Sequence, residues 1–276
     1  MSQLPLILGG HSFIRQLGNE PKPNLDNQIA IVETCLDNGI CWFDTTYQPE
    51  RVALGNILRE LNRRREAVLI GWNFFSDFDE EGEVGGAGYY QPHHIELMLE
   101  QFQTDIIDCL VVHPLSAEIE NQRQEELCRR WQQQGYVKKL GTWAPPANVT
   151  ERFSTGNPYT FMVSPLNVTT ADSGRVFTAC RKLGWENYAC SPFVRGWELD
   201  RLVECALRRY GGEPAGAREK VADLMLRYSL FSQDVDKLIV AIRRVEWIGK
   251  NIASYRKGKP DDSELSWLKS LYALET

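Results

Sequence analysis

Three side chains that can move protons stand just past short apolar runs. Asp44 and Tyr47 follow ICWF (residues 40–43) in the stretch ICWFDTTYQPERVALG, and His113 follows IIDCLVV (106–112) and precedes Pro114. A carboxyl, a phenol and an imidazole brought to one place form a general acid–base set whose ordinary pKa values run from about 4 to about 10. Each has a plainer structural role as well. Asp44 would cap the next helix through Thr45 or Thr46, His113 would be a satisfied strand-end histidine, and Tyr47 an exposed turn residue before the Gln48-Pro49-Glu50 helix start. His93 and His94 open a helix after GAGYYQP, where polar residues are routine, and the acidic run SDFDEEGE (76–83) has no ligand spacing. No metal site is expected. If that run covers the site, it disfavours anionic substrates.

The elements that would position these groups are legible as a repeat. Eight apolar runs, PLIL (5–8), ICWF (40–43), AVLIG (67–71), IIDCLVV (106–112), VKKLGT (137–142), YTFMV (159–163), NYAC (187–190) and KLIVA (237–241), alternate with helical patterns such as Ile29, Val32, Leu36 and Ile95, Met98, Leu99, Phe102. Alternation of this kind implies parallel strands joined by crossover helices, and eight units in about 250 residues predict a closed (β/α)8 barrel. A doubly wound open sheet is the other solution. The stretch GEPAGARE (212–219) predicts a break between two helices after strand seven, and no linker divides the chain, so residues 1–276 are expected to form one domain. In a barrel the residues just past the strand ends share one mouth. That rule selects Asp44, Trp72, Asn73, His113, Trp143, Asn167 and Ser191. The pairs Arg129-Arg130 and Lys138-Lys139 fall at the far end and are expected to serve solvation.

Composition narrows the partners. With 276 residues, 43% hydrophobic and 25% charged, the chain has ample material for a core, and a net charge of −6 with a pI near 5.4 disfavours a nucleic-acid partner. No apolar run approaches the ~18 residues that span a bilayer. The seven cysteines lack any C-x-x-C spacing and read as free thiols in a reducing compartment. A cytoplasmic protein with a small-molecule partner is expected.

The order of several phrases resembles the aldo-keto reductases along most of the chain. They are LGGHSF at strand one, DNGICWFDTTYQPERVALGNIL at strand two, LEQFQTDIIDCLVVHP at strand four, QQQGYVKKLGTW at strand five, SPFVRG at strand seven and KLIVAIRRVEWIGKNI at strand eight. The resemblance implies a barrel of that family's type with short terminal extensions. It also implies carbonyl reduction by NADPH through an aspartate, a tyrosine acid, a lysine that lowers the tyrosine pKa and a histidine that orients the substrate oxygen. Asp44, Tyr47 and His113 take three of these places, Tyr47 on a turn shorter than the family's. At the end of strand three the pair aligned with the lysine is Trp72-Asn73, which puts the uncharged Asn73 in the lysine's place and leaves the phenol nearer its ordinary value of about 10.

The cofactor positions are changed in the same way. Trp143-Ala144 stand where the family has a serine and an asparagine for the carboxamide, and Val163 and Leu166 where it has a glutamine and a stacking tyrosine. Ser191, Phe193 and Arg195 keep the form of the pyrophosphate loop. Asn251 is present, Ala241 and Trp247 replace its companions, and Arg243 and Arg244 at the helix start would grip a phosphate. Trp72, Trp143 and His11 would line the substrate pocket. Two enzymatic functions follow, an atypical NADPH-dependent reductase of a small carbonyl or imine-like metabolite, or a non-redox lyase, dehydratase, isomerase or cyclase using the same mouth. A binding or regulatory protein without chemistry is a third.

Overall fold

The computed structural model describes residues 3–15, 23–75, 86–144, 157–170 and 173–272. Eight strands form a closed barrel in chain order: β1 Leu6–Gly9, β2 Trp42–Thr45, β3 Val68–Trp72, β4 Ile107–Val112, β5 Val137–Trp143, β6 Tyr159–Pro165, β7 Glu186–Cys190 and β8 Lys237–Val240. Every pairing is parallel, and Leu6 and Ile7 of β1 lie opposite Leu238 and Ile239 of β8. That closure rules out the open sheet. Outside the strands lie α1 Leu25–Asp37, α2 Gln48–Glu60, α3 His94–Phe102, α4 Glu118–Gln133, α5 Ser173–Lys182, α6 Trp197–Tyr210, α7 Pro214–Leu230, α8 Val245–Lys257 and α9 Asp262–Tyr272. The predicted break after β7 is real: Gly211 and Gly212 have φ of 66° and 100°, and Pro214 starts α7. No described helix is long and apolar enough to cross a membrane.

Strands buried on both faces need apolar residues at successive positions, which is why the runs read as continuous. Alternate side chains nevertheless go to different cores. Ile70, Trp72, Cys109, Val111, Phe161 and Tyr188 pack inside the barrel, whereas Leu69, Leu110 and Met162 pack between strands and helices. Gly141 in β5 is where Phe161 crosses the interior, since a Cβ there would lie 2.3 Å from the Phe161 ring. Gly141→Ala is expected to cost about 1–3 kcal/mol by overpacking, seen as a lower urea midpoint. An unchanged midpoint would contradict the interior packing.

Two sequence phrases prove to be halves of one contact. Asp108, from the strand-four phrase, accepts from Leu69 N at 2.9 Å and from Lys138 Nζ, in the strand-five phrase, at 2.6 Å, knitting β3, β4 and β5 together at the barrel's N-terminal end. Lys139 pairs with Glu186 at 2.9 Å in the same region. These lysines therefore do more than solvate the far end. All seven cysteines are unbridged.

Candidate active site at the C-terminal mouth

The turn from β2 into α2 is organised by Glu50. Its Oε2 accepts the N–H groups of Thr46 and Tyr47 at 2.6 and 3.1 Å, satisfying donors that a helix start leaves open. Its Oε1 lies 2.8 Å from Nδ1 of His11, just past β1, and Glu50 is fully buried. Gly10 makes room for this carboxylate, because a Cβ there would sit 2.3 Å from Oε2. With Glu50 serving the helix end, Asp44 is released from capping. Its Oδ1 accepts from the indole Nε1 of Trp72 at 2.6 Å, and Asp44 is 6% exposed. Burial pushes its carboxyl up to about 7; the Trp72 N–H and His11 oppose the rise, and the charge of Glu50 adds to it.

Strand parity decides what faces Asp44. Ile70 and Trp72 point into the barrel and Asn73 points out, so the side chain that meets the aspartate is Trp72. Asn73 is fully buried elsewhere: its amide donates to Gly88 O at 2.9 Å and His113 O at 3.0 Å, and its Oδ1 accepts from His113 N at 3.0 Å. Asn73 therefore ties the ends of β3 and β4 together rather than facing the acid–base groups. Beneath the same ends lies Arg51, which is fully buried and donates to Gln101 Oε1 at 2.7 Å and to the carbonyls of Thr46, Trp72 and Phe74 at 3.1, 3.3 and 2.9 Å.

The mouth is lined by aromatic rings in series. His11 stacks on Tyr47 with centroids 5.7 Å apart, and Tyr47 meets the edge of Phe74 at 5.2 Å. Phe74 also contacts Trp72 at 6.4 Å and His113 at 5.7 Å, and Trp143 closes the series against Trp72 at 5.3 Å and His113 at 6.0 Å. The Tyr47 phenol is pushed up to about 12, first by burial and then by Glu50, against a weaker opposing pull from Arg195. Burial and the Glu50 charge thus leave it a poorer acid than a free phenol. His113 Nδ1 lies 2.9 Å from the Pro114 carbonyl, which can only accept, so the neutral ring carries its proton there and presents Nε2 as an acceptor. Burial also lowers the His113 pKa, with the Pro114 bond opposing.

The remaining expected residues follow β7 and β8. Ser191, Val194 and Arg195 have positive φ of 58°, 47° and 58°, so the loop after β7 is held in a costly conformation, braced by Asn167 Nδ2 donating to Ser191 O at 3.1 Å. Phe193 is half-buried there, packed between two cores. Arg243 donates to Ile14 O at 3.0 Å, Arg244 precedes α8 with its guanidinium 5.3 Å from the Trp247 ring centre, and Asn251 is half-buried on α8. The structure brings together Asp44, Tyr47, His113, Trp72, Trp143 and His11, while Asn73 faces away and Arg243, Arg244 and Asn251 lie after β8, at the start of α8 and along it. Glu50, Arg51 and Phe74 are the members that sequence reasoning missed. The pattern Tyr47-x-x-Glu50 at a helix start was the available signal for Glu50. His94, beside this region, accepts from Gln91 N at 3.0 Å and stacks on Phe75 at 3.7 Å. The acidic run 76–83 lies outside the described residues.

A family profile described as Aldo/keto reductase family matches residues 5–204. Among solved structures the chain is similar to an aldo-keto reductase from Bacillus halodurans in its holo form, with a TM-score of 0.70 and 15% identity over 97% of this chain and 91% of that one. It is similar to a glycerol dehydrogenase from Gluconobacter oxydans, with a TM-score of 0.73 and 16% identity over 98% and 91% of the two chains. A thermostable aldo-keto reductase solved with the inhibitor epalrestat gives 0.69 and 17% over 97% and 95%. No curated protein matches the chain in sequence. At such identities the likeness to these structures speaks for the fold alone.

Proposed function

Because the chain belongs to the aldo/keto reductase family, we propose that it is an atypical NADPH-dependent oxidoreductase that reduces a small carbonyl or imine-like metabolite in the cytoplasm, working as a single barrel domain. The observation that carries this is the convergence of Asp44, Tyr47 and His113 on one mouth, joined through Trp72, Phe74 and Trp143. NADPH, when bound, supplies the hydride. The donor set suits its phosphates: Arg243 and Arg244 stand at the start of α8, where helix N–H groups favour an anion, and Ser191, Phe193 and Arg195 form the loop after the neighbouring strand β7, with Asn251 further along the helix.

Around the reacting oxygen the roles divide by chemistry. Tyr47, with its pKa at about 12, keeps its proton through the neutral range and serves as a hydrogen-bond donor to the oxygen. His113 is oriented by the Pro114 carbonyl, and Asn73 holds the strand end that carries it. Trp143, His11 and the rim of Trp72 shape an apolar slot for a small substrate. Titration with NADPH should change its fluorescence and saturate well below a millimolar. No change up to about that concentration, where binding free energy falls to ~4 kcal/mol, would overturn the proposal.

A different observation favours the non-redox alternative. Asp44, with a pKa of about 7 and an indole rather than an ammonium as its partner, can both give and take a proton near neutrality. A lyase, dehydratase, isomerase or cyclase would use it with His113 and would turn over without any nucleotide.

A further inference from the structure

Carbonyl reduction needs a proton as well as a hydride, and the phenol at about 12 is a weak source of one. The β1 end of the mouth holds another. We propose that His11 and Glu50 form the proton-donating pair of this site, with the imidazolium of His11 as the acid and Glu50 as the fixed counter-charge; the proposal rests on the reductase function above. Glu50 is built for that task. It is fully buried, one oxygen is pinned by two backbone N–H groups at 2.6 and 3.1 Å, and the other is aimed at His11 Nδ1 at 2.8 Å. The absence of a Cβ at Gly10 lets the carboxylate sit there. With Nδ1 committed, the exchangeable proton of the ring is the one on Nε2, for which no described residue is a hydrogen-bond partner. The His11 side chain is 31% exposed and its ring lies parallel to Tyr47, 5.7 Å away. A carboxylate fixing one nitrogen so that the other can exchange protons is a recurring way of preparing an imidazole.

The proton balance is simple. With NADPH bound, it would supply the hydride to the carbonyl carbon, and His11 Nε2 would give its proton to the oxygen, leaving an alcohol. The imidazole is left neutral, still donating from Nδ1 to Glu50, and solvent at its exposed edge returns the proton.

Nitrogen NMR of the full chain labelled at its four histidines, with His11 assigned by its loss in His11→Gln, tests the pair directly. Neutral His11 should carry its proton on Nδ1. In Glu50→Gln the amide oxygen keeps the backbone donors and the NH2 turns to His11, so the proton should move to Nε2. A wild-type ring protonated on Nε2, or the same tautomer in both proteins, would overturn the proposal. With 4-nitrobenzaldehyde and NADPH, His11→Ala should lower kcat about 100-fold with KM retained, and added imidazole should restore the rate; full activity without rescue would equally overturn it. Loss of NADPH binding in wild type strikes the reductase function alone, and the tautomer measurement then decides the pair.

Discussion

Asp44→Asn is expected to lower aldehyde reduction about 1,000-fold and, above pH 7, to make the protein more stable than wild type. The stability effect follows from burial. An unfolded aspartate titrates near 3.9, whereas burial holds the Asp44 carboxyl at about 7. Between those values the folded protein keeps a proton that the unfolded chain has lost. Stability from this group is therefore complete below about pH 4 and is lost as pH rises through 7, by roughly 4 kcal/mol for a group this well buried. Asparagine retains an acceptor for the Trp72 N–H and has no charge to bury. Urea unfolding should show the variant gaining on wild type by most of that amount between pH 5 and pH 8. Parallel pH dependences would show that Asp44 is ionised at no cost, contrary to its burial against the Trp72 indole.

The Trp72 partner of Asp44 also shows how far the sequence could be read. The eight runs predict all eight strands, because a strand buried on both faces has to be apolar throughout. What such runs conceal is parity, since inward and outward positions look alike. Trp72 and Asn73 are adjacent and both are plausible mouth residues, yet Trp72 shares the interior with Ile70 and Asn73 turns to the backbone of β4. Counting from the β2–β3 register, in which Asp44 lies opposite Ile70, would have put Trp72 beside the carboxylate. Glu50 was legible as part of a helix start but not as a partner for His11, 39 residues away. Phe74 carries no local signal at all; its contacts with Tyr47, Trp72 and His113 exist only because three strand ends meet.

Once assembled, the mouth sets its two half-buried imidazoles in different environments. His11 faces a buried carboxylate, whereas His113 faces a carbonyl and burial lowers its pKa. Pairs of titratable groups in opposed surroundings are how a fold assigns acid and base roles at one pH.

Arg51→Lys, conservative in charge, is expected to fail. The guanidinium meets four oxygens on three sides of its plane, at Gln101, Thr46, Trp72 and Phe74, and lies 5.0 Å from the Phe75 ring centre. An ammonium has three donors at a single point and cannot span them. Burial draws the guanidinium pKa down to about 10, still leaving it charged at neutral pH, so the substitution leaves a buried cation with too few partners. A loss of about 3 kcal/mol is expected from urea unfolding, with a similar or larger loss for Arg51→Met, which strands the same carbonyls. Two of those carbonyls belong to Thr46, in the turn that Glu50 caps, and to Trp72, whose indole holds Asp44. Amide exchange at Thr46 and Tyr47 should accelerate in the lysine variant along with the loss of stability. Wild-type stability in Arg51→Lys would mean that the mouth is held by its strands alone, without the charge beneath it.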